Sequence, residues 1–338
     1  MTIALELLLI SAPLYQNDII RQVDNFLIVV TQVGILFALM AVGAACRRMR
    51  LLDDSAVKGL VNVLLLVVTP CLIVDCFQRP FDSRMLNGFL IAFAVAFLAH
   101  LAIVWFSRLT AWGDERRLPV LRLAAVFSNA GFMGIPLEQA ILGDEGVFYG
   151  IVYVVIFNLF MWSWGLMVMK TGKGILASGS ARGLVNLKMF VNPGTVGIAA
   201  GLPLFLLSVN LPELVQTPVR LMAGLNTPLA MLVIGFYLAG ADFRPLLRSP
   251  AAAVAAATRL VVFPLAMLGG FWLFRAHLDR TMMLAFVTAA SAPVAATVTM
   301  FASKFGRDVD LSVGLVSGTT LLSIVTMPVV IALAMEVL

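Results

Sequence analysis

The sequence predicts an all-α polytopic membrane protein of ten transmembrane helices, arranged as two inverted repeats of five helices. Three observations lead to this fold class. Of 338 residues, 61% are hydrophobic and only 12% are charged, and the mean hydropathy is +1.02. Apolar runs of about 20 residues, the length that crosses a bilayer core, recur along the whole chain. Helix-breaking residues also recur at nearly one offset in the two halves of the chain.

Charged and turn residues divide the apolar sequence into ten predicted spans. In chain order the spans are 26–46, 57–77, 86–107, 120–142, 147–169, 191–209, 218–240, 251–274, 281–303 and 311–336. Residues 1–25 lack a basic start and do not resemble a cleaved signal peptide, so they are either an interfacial segment or sequence ahead of the true start. The stretch 170–190 carries four glycines and four basic residues. It is predicted to link a first repeat (26–169) to a second (191–338).

The distribution of Lys and Arg predicts the orientation. Sixteen of them flank one side of the predicted membrane and six flank the other. Because basic loops stay in the cytoplasm, both termini are expected outside and the linker inside. Five spans per half is an odd number, so the two halves enter the membrane from opposite sides and the repeat is inverted.

Two predicted spans contain residues that interrupt a helix. Span 4 includes the stretch Ser-Asn-Ala-Gly-Phe-Met-Gly-Ile-Pro-Leu over 128–137, and span 9 includes Ser-Ala-Pro over 291–293. Pro136 and Pro293 are 157 residues apart, and Pro70 and Pro228 in spans 2 and 7 are 158 apart. We predict breaks near Pro136 and Pro293, with two half-helix N-termini converging to bind an anion. The alternative is that each proline only kinks a continuous helix.

Candidate substrate-binding residues lie at these breaks and in span 5, where an amide or hydroxyl can contact a carboxylate. They are Ser128, Asn129, Gly134, Ile135, Pro136, Asn158, Ser291, Ala292 and Pro293. The alternative role for Asn129 is to satisfy carbonyls that the broken helix leaves free. For Asn158 the alternative is a hydrogen bond between helices.

Ionisable residues inside lipid are costly, which makes Asp75 and Glu138 candidates for coupling to protons. The alternative is that both are solvated carboxylates near the outer interface. Arg259 in span 8 either steers anions, caps helix ends or extends toward the interface. His100 is expected to be a hydrogen-bonded packing residue.

Other classes of protein are disfavoured by the sequence. It has no phosphate-binding loop, no zinc-ligand cluster and only two histidines. We therefore do not expect an enzyme or an ATP-driven pump, and we expect no bound metal or cofactor. The basic residues lie in short loops, which argues against nucleic acid as a partner. Cys46, Cys71 and Cys76 are expected to be free thiols.

The stretch 129–137 resembles the fourth-span motif of the auxin efflux carrier family, the bacterial relatives of plant PIN proteins. Further matches support this resemblance over roughly 26–336. They are Asn192-Pro193 and Gly201-Leu202 in span 6, Thr227-Pro228-Leu229-Ala230 in span 7, Arg259-Leu260 and Pro264 in span 8, Ser291-Ala292-Pro293 and Phe301-Ala302 in span 9, and Pro328 in span 10.

The resemblance implies five plus five inverted helices with spans 4 and 9 crossing at their breaks, as in sodium–bile-acid symporters and sodium–proton antiporters. It implies transport of organic anions, such as auxin in plants and malate or malonate in bacteria, with Asn129 facing the substrate. It also implies a scaffold of spans 1, 2, 6 and 7 that can form a homodimer, and a moving unit of spans 3–5 and 8–10. The short linker and Glu138 depart from plant members and disfavour auxin itself.

These inferences predict a secondary active carrier of a small organic anion that works by elevator-type alternating access, driven by protons or by the membrane potential. Its expected partners are the anion, the lipid bilayer and a second copy of the chain. The alternatives are a sodium-coupled symporter and a membrane receptor that binds without transporting.

Overall fold

The structure is a computed structural model that describes residues 27–79, 83–172, 193–240, 242 and 244–338. Within these ranges it is helical, with a single isolated β-bridge and no named strand. The helices are α1 (Leu27–Arg48), α2 (Asp54–Cys76), α3 (Ser83–Thr110), α4 (Leu118–Val126), α5 (130–142), α6 (144–171), α7 (Pro193–Leu206), α8 (Glu213–Leu238), α9 (Arg244–Arg248), α10 (Pro250–Phe274), α11 (Arg280–Ser291), α12 (Thr297–Lys304) and α13 (Val309–Val337).

Seven helical stretches in the described part of the chain are long and apolar enough to cross a membrane. One of them, Ala130–Thr171, is 42 residues long. Gly143 divides it, with a φ of 67° and a ψ of −157° that lie outside the helical region and favour glycine. We therefore describe it as α5 and α6. The prediction of a polytopic helical membrane protein is confirmed.

Two finer predictions concern the number of spans and the symmetry of the two halves. The ten-span count and the inverted repeat stay predictions. Most of the predicted linker 170–190, and all of the segment 1–25, lie outside the described residues.

Three of the membrane-length helices contain a π-helical turn directly before a proline. The turns are Leu64–Val68, Ala130–Gly134 and Thr258–Val262, and the prolines Pro70, Pro136 and Pro264 follow each turn by two residues. Proline has no N–H and its ring collides with the carbonyl four residues earlier in an α-helix. The wider π-turn removes that collision while the helix continues.

This finding corrects the prediction that a new half-helix begins at Pro136. The helix of span 4 ends at Val126 and resumes at Ala130, so the break lies at 127–129 and Pro136 sits in the first turn of the following α-helix. In span 9 the prediction is right, because α11 ends at Ser291 and Pro293 lies in the unwound segment before α12. Pro136 and Pro293 therefore do not occupy equivalent places. Both spans are interrupted rather than kinked.

Buried side chains form one large cluster, a second cluster and a small third one between α2 and α8. The second cluster lies between α1, α2 and α8 on one side and α13 and the broken helices on the other. The large cluster joins α3–α6 to α10–α13 and includes the end of α2 and Phe205 of α7. The second cluster includes four methionines, Met40, Met133, Met231 and Met327, one each from α1, α5, α8 and α13. We call it the methionine interface.

Glycines let α1 and α8 approach very closely. A side chain at Gly43 would overlap the backbone of Leu232, and one at Gly235 would overlap the backbone of Met40. On the neighbouring helix α7, side chains at two further glycines would meet Ile73 of α2 and Phe77, the residue directly after α2. Helices α1, α2, α7 and α8 thus pack through small residues, which is how helices associate in lipid.

At the end of the bundle that carries the start of α4, Arg307 joins the end of α12 to the end of α6 and to the loop before α4. Its guanidinium donates hydrogen bonds of 2.8–3.0 Å to backbone carbonyls at 115, 169 and 170. Arg117 forms an ion pair of 3.0 Å with Asp308 beside it. The ends of α6 and α12 and the loop before α4 are therefore held as one unit.

Candidate functional site

The two unwound segments cross and pair with each other. Ser128 and Val294 form an antiparallel bridge. The Asn129 N–H donates to the Pro293 carbonyl at 2.6 Å, and the Ala295 N–H donates to the Phe127 carbonyl at 3.0 Å. Backbone groups that lipid could not satisfy thus satisfy one another, which is why a non-helical stretch is tolerated inside the protein.

Arg259 of α10 caps the two helices that end at this crossing. Its Nη1 donates to the Val126 carbonyl at 2.7 Å, and its Nη2 donates to the Ala290 carbonyl. Val126 is the last residue of α4, and Ala290 lies in the last turn of α11. Since helix C-termini carry partial negative charge and unpaired carbonyls, one guanidinium stabilises both ends. Of the roles considered for Arg259, capping is confirmed.

The charge of Arg259 is otherwise uncompensated. The side chain is fully buried (0% exposed), its Cζ lies 5.0 Å from the centre of the Phe263 ring, and no carboxylate forms an ion pair with it among the described residues. The Tyr153 hydroxyl is close to both Arg259 and Ser128. Beyond the crossing, α5 and α12 begin, and their N-termini present the positive ends of helix dipoles. The crossing is thus an electropositive site within the bundle.

A polar group from α13 completes the crossing. The Thr319 hydroxyl accepts from the Val294 N–H at 3.0 Å and donates within its own helix to the Leu315 carbonyl at 2.7 Å. It therefore fixes the unwound segment of span 9 against α13. The sequence analysis missed this residue, because a threonine within an apolar helix gives no signal of which neighbour it contacts.

Glu138 of α5 is completely buried (0% exposed), and neither carboxyl oxygen has a hydrogen-bond partner among the described residues. This corrects the alternative in which Glu138 is a solvated carboxylate. The sequence placed it near the outer interface by counting residues, but α6 folds back over it after Gly143. Glu138 thus lies between two helices and out of water.

A cavity of about 670 Å³ lies between the end of α2, the second half of α5 and the middle of α8. Its polar and charged lining comprises Asp75, Gln78, Arg79, Gln139, Asp144, Arg220, Asn226 and Thr227. Two arginines and two aspartates balance in formal charge, so the cavity is polar without a strong net field.

Asp75 is partly solvated in this cavity. Its side chain is 24% exposed and pairs with Arg220 at 3.6 Å. Arg79 donates instead to the backbone carbonyls of Cys76 at 2.8 Å and Asp144 at 3.3 Å. The arginines Arg79 and Arg220 were not among the predicted site residues. Their positions at the ends of apolar spans indicated orientation only.

The structure brings most of the predicted binding residues together. Ser128, Asn129, Ala292 and Pro293 meet at the crossing, and all four are buried. Ser291 ends α11, and its hydroxyl donates to the Thr288 carbonyl within that helix.

Three predicted residues lie on the adjoining part of α5. Ile135 and Pro136 line the cavity. Gly134 lies where a side chain would stand 3.4 Å from the Ala289 Cα of α11, so α5 and α11 meet closely there.

Two polar residues of the bundle bond within their own helices. The Asn158 amide donates to the Val154 carbonyl at 2.8 Å, so the hydrogen bond between helices that we considered for it is not seen. His100 Nδ1 lies 2.8 Å from the Ala96 carbonyl, and the ring stacks on Phe160, which confirms its packing role. A role for Asn158 in binding substrate stays a prediction.

Apolar helices of membrane length, with two interrupted helices paired at their breaks, define a polytopic membrane protein of the transporter class. The family model described as "Membrane transport protein" matches residues 28–331. The chain therefore belongs to this family, the auxin efflux carrier family, which confirms the resemblance seen in the sequence. It is also similar to an "Uncharacterized transporter" of Methanothermobacter thermautotrophicus, with 27% identity over 304 residues covering 87% of this chain and 94% of the relative.

Proposed function

We propose that this membrane transporter is a secondary active carrier of a small organic anion. One observation carries the proposal: the buried crossing has a guanidinium with no carboxylate partner among the described residues and two helices that begin beside it. A monocarboxylate or dicarboxylate bound there would complete the charge balance without a second buried cation. Malonate, malate and auxin-like acids fit this chemistry. No enzymatic activity is proposed.

The proposed architecture is ten spans in two inverted repeats, 26–169 and 191–338. Helices α4 with α5, and α11 with α12, then count as the broken spans 4 and 9. Spans 1, 2, 6 and 7 form the scaffold and spans 3–5 and 8–10 form the moving unit of an elevator. The methionine interface supports this division, because it lies between α1, α2 and α8 and the broken helices.

We also propose that the scaffold forms a homodimer. Large apolar side chains on its helices are exposed in the single chain, including Leu66 of α2 and Leu221 of α8 at 65% and 69%. Lipid or a second copy of the chain would cover such surfaces. Cross-linking of cysteines introduced on these helices in membranes separates the two possibilities.

The proposed orientation places both termini outside the inner membrane and the cavity on the outer side. Cysteines introduced in place of Glu115 and Asp144, in a chain whose three native cysteines are replaced by serine or alanine, should then react from opposite sides. A membrane-impermeant maleimide should label the position-144 variant in intact cells and the position-115 variant only after lysis. Labelling of both in intact cells would contradict the odd–even arrangement of the spans.

The function is tested by uptake into proteoliposomes with radiolabelled malonate, malate and auxin as probes. A carrier accumulates at least one anion above its external concentration when a pH gradient or a membrane potential is imposed. A receptor gives saturable binding without accumulation. Accumulation only with a sodium gradient would favour the alternative of a sodium-coupled symporter.

A further inference from the structure

Glu138 is a titratable group that the proposed anion site does not itself require. It is fully buried, and both carboxyl oxygens lack hydrogen-bond partners among the described residues. An ionised carboxylate without a partner in such a place would cost several kcal/mol, far more than the neutral acid.

The fold provides a fitted space for this carboxyl group. A side chain at Gly150 of α6 would overlap Glu138 Oε2, so the carboxyl occupies the notch that the glycine leaves. On the other side, a side chain at Gly134 would stand 3.5 Å from Glu138 Oε1. Glycines on two sides and no polar partner make a pocket that suits the neutral acid.

Among the described residues, no cation pairs with Glu138. Tyr153 of α6 lies near both Glu138 and Arg259, whereas the Tyr149 hydroxyl lies against Gly88 of α3. From α2 the facing group is the Cys76 thiol, next to Asp75. The only charged residue of α11 is Arg280, at its far end from the crossing.

The cavity is bordered by residues that lie close to Glu138. Cys76 lines the cavity and is also close enough to Glu138 to interact with its charge. Pro136 and Gln139, on the same turn of α5 as Glu138, line the cavity as well. The turn of α5 that carries Glu138 thus also borders the cavity, although Glu138 itself is fully buried.

We propose that Glu138 is a proton-binding site linked to the anion at the crossing, so that a proton and the anion move in the same direction. This inference rests on the proposed function. When Glu138 is protonated, α5 carries no negative charge inside the bundle that would oppose an anion at the crossing. When Glu138 is ionised, its negative charge has no partner among the described residues and repels the anion. Because linkage is reciprocal, bound anion must raise the affinity of Glu138 for the proton by the same factor.

The proton site is tested first without transport, by infrared spectroscopy of the purified protein over a range of pH. The wild type should show the C=O stretching band of a protonated carboxylic acid at neutral pH. Glu138→Gln should lose this band, whereas Glu145→Gln, which removes an exposed carboxylate seven residues later, should keep it. Absence of the band in the wild type at neutral pH, or its persistence in Glu138→Gln, would overturn the assignment.

A second variant tests the notch while keeping the carboxyl group. Gly150→Ala places a methyl group where Oε2 lies and should shift or remove the band. Gly269→Ala, at a glycine with open space around it, is the matched control and should leave the band unchanged. An unchanged band in Gly150→Ala, with the protein folded, would contradict the proposed position of the proton.

Linkage is tested in proteoliposomes with malonate, malate and auxin. For one proton per anion, each unit of inward pH gradient should raise the accumulation ratio about tenfold. Glu138→Gln should still exchange anion across the membrane but show no response to the gradient. Wild-type uptake that ignores the pH gradient would overturn the linkage and leave the proposed function standing. If the wild type transports none of the probes, the proposed function is refuted, and the linkage is refuted with it. The proton site is decided separately, by the infrared result alone.

Discussion

Replacing Arg259 with methionine should destabilise the protein more than any other single substitution considered. The variant leaves the carbonyls of Val126 and Ala290 without their donor inside the bundle. An unsatisfied buried polar group costs about 1–3 kcal/mol, so the two together should cost about 2–6 kcal/mol of unfolding free energy. The measurement is thermal unfolding in detergent, followed by tryptophan fluorescence.

Two further variants separate capping from charge. Arg259→Lys keeps the positive charge, but a single ammonium lacks the planar fork that reaches two carbonyls, so it should restore only part of the stability. Arg108→Met removes an exposed arginine and should leave the unfolding temperature near that of the wild type. An Arg259→Met protein as stable as the wild type would show that water or other groups already satisfy both helix ends.

The second large effect is expected on substrate affinity. Asn129→Ala removes an amide at the crossing, and a hydrogen bond from such a group to a charged ligand is worth about 1.5–3 kcal/mol. The apparent affinity for the transported anion should therefore fall on the order of 10- to 100-fold. The measurement is the concentration dependence of malonate, malate or auxin uptake, whichever the wild type transports.

Asn129→Ala removes only side-chain contacts and leaves the backbone hydrogen bonds of the crossing in place. The bonds that Asn129 makes at the crossing with Pro293 and Met133 use its backbone, so alanine keeps them and the crossing should stay folded. Asn62→Ala removes an exposed amide on α2 and serves as the matched control. An unchanged apparent affinity in Asn129→Ala, with normal unfolding, would remove Asn129 from the binding site.

The sequence predicted the regions in which helices are interrupted more accurately than the form that each interruption takes. Two glycines and a proline over 131–136 identified the disturbed region of span 4, since lipid penalises unsatisfied backbone. The proline suggested a break at Pro136, but the break lies at 127–129. Whether a proline breaks a helix or widens one turn depends on neighbouring helices. Here the pairing of Asn129 with Pro293 decides the outcome, and that contact joins residues far apart in the chain.

Side-chain roles in the site were predictable only in part. Arg259 was open to three interpretations because the sequence cannot show which helix ends lie within reach of a long side chain. Glu138 was assigned to the interface by its distance from a span end. Its burial comes from Gly150, whose missing side chain leaves the space. A glycine is informative in this way only once the opposing residue is known.

The methionine interface has a consequence for how easily the proposed moving unit could travel. Branched side chains interlock in one register, and displacing them requires several to leave their holes together. Methionine is unbranched and has three rotatable bonds, so it can reshape around a neighbour that shifts. Met40, Met133, Met231 and Met327 thus give the boundary four adaptable contacts among branched side chains such as Val33, Leu64 and Ile331. In the proposed carrier, the adaptable contacts would ease movement of one unit against the other, and the branched ones would hold each resting position.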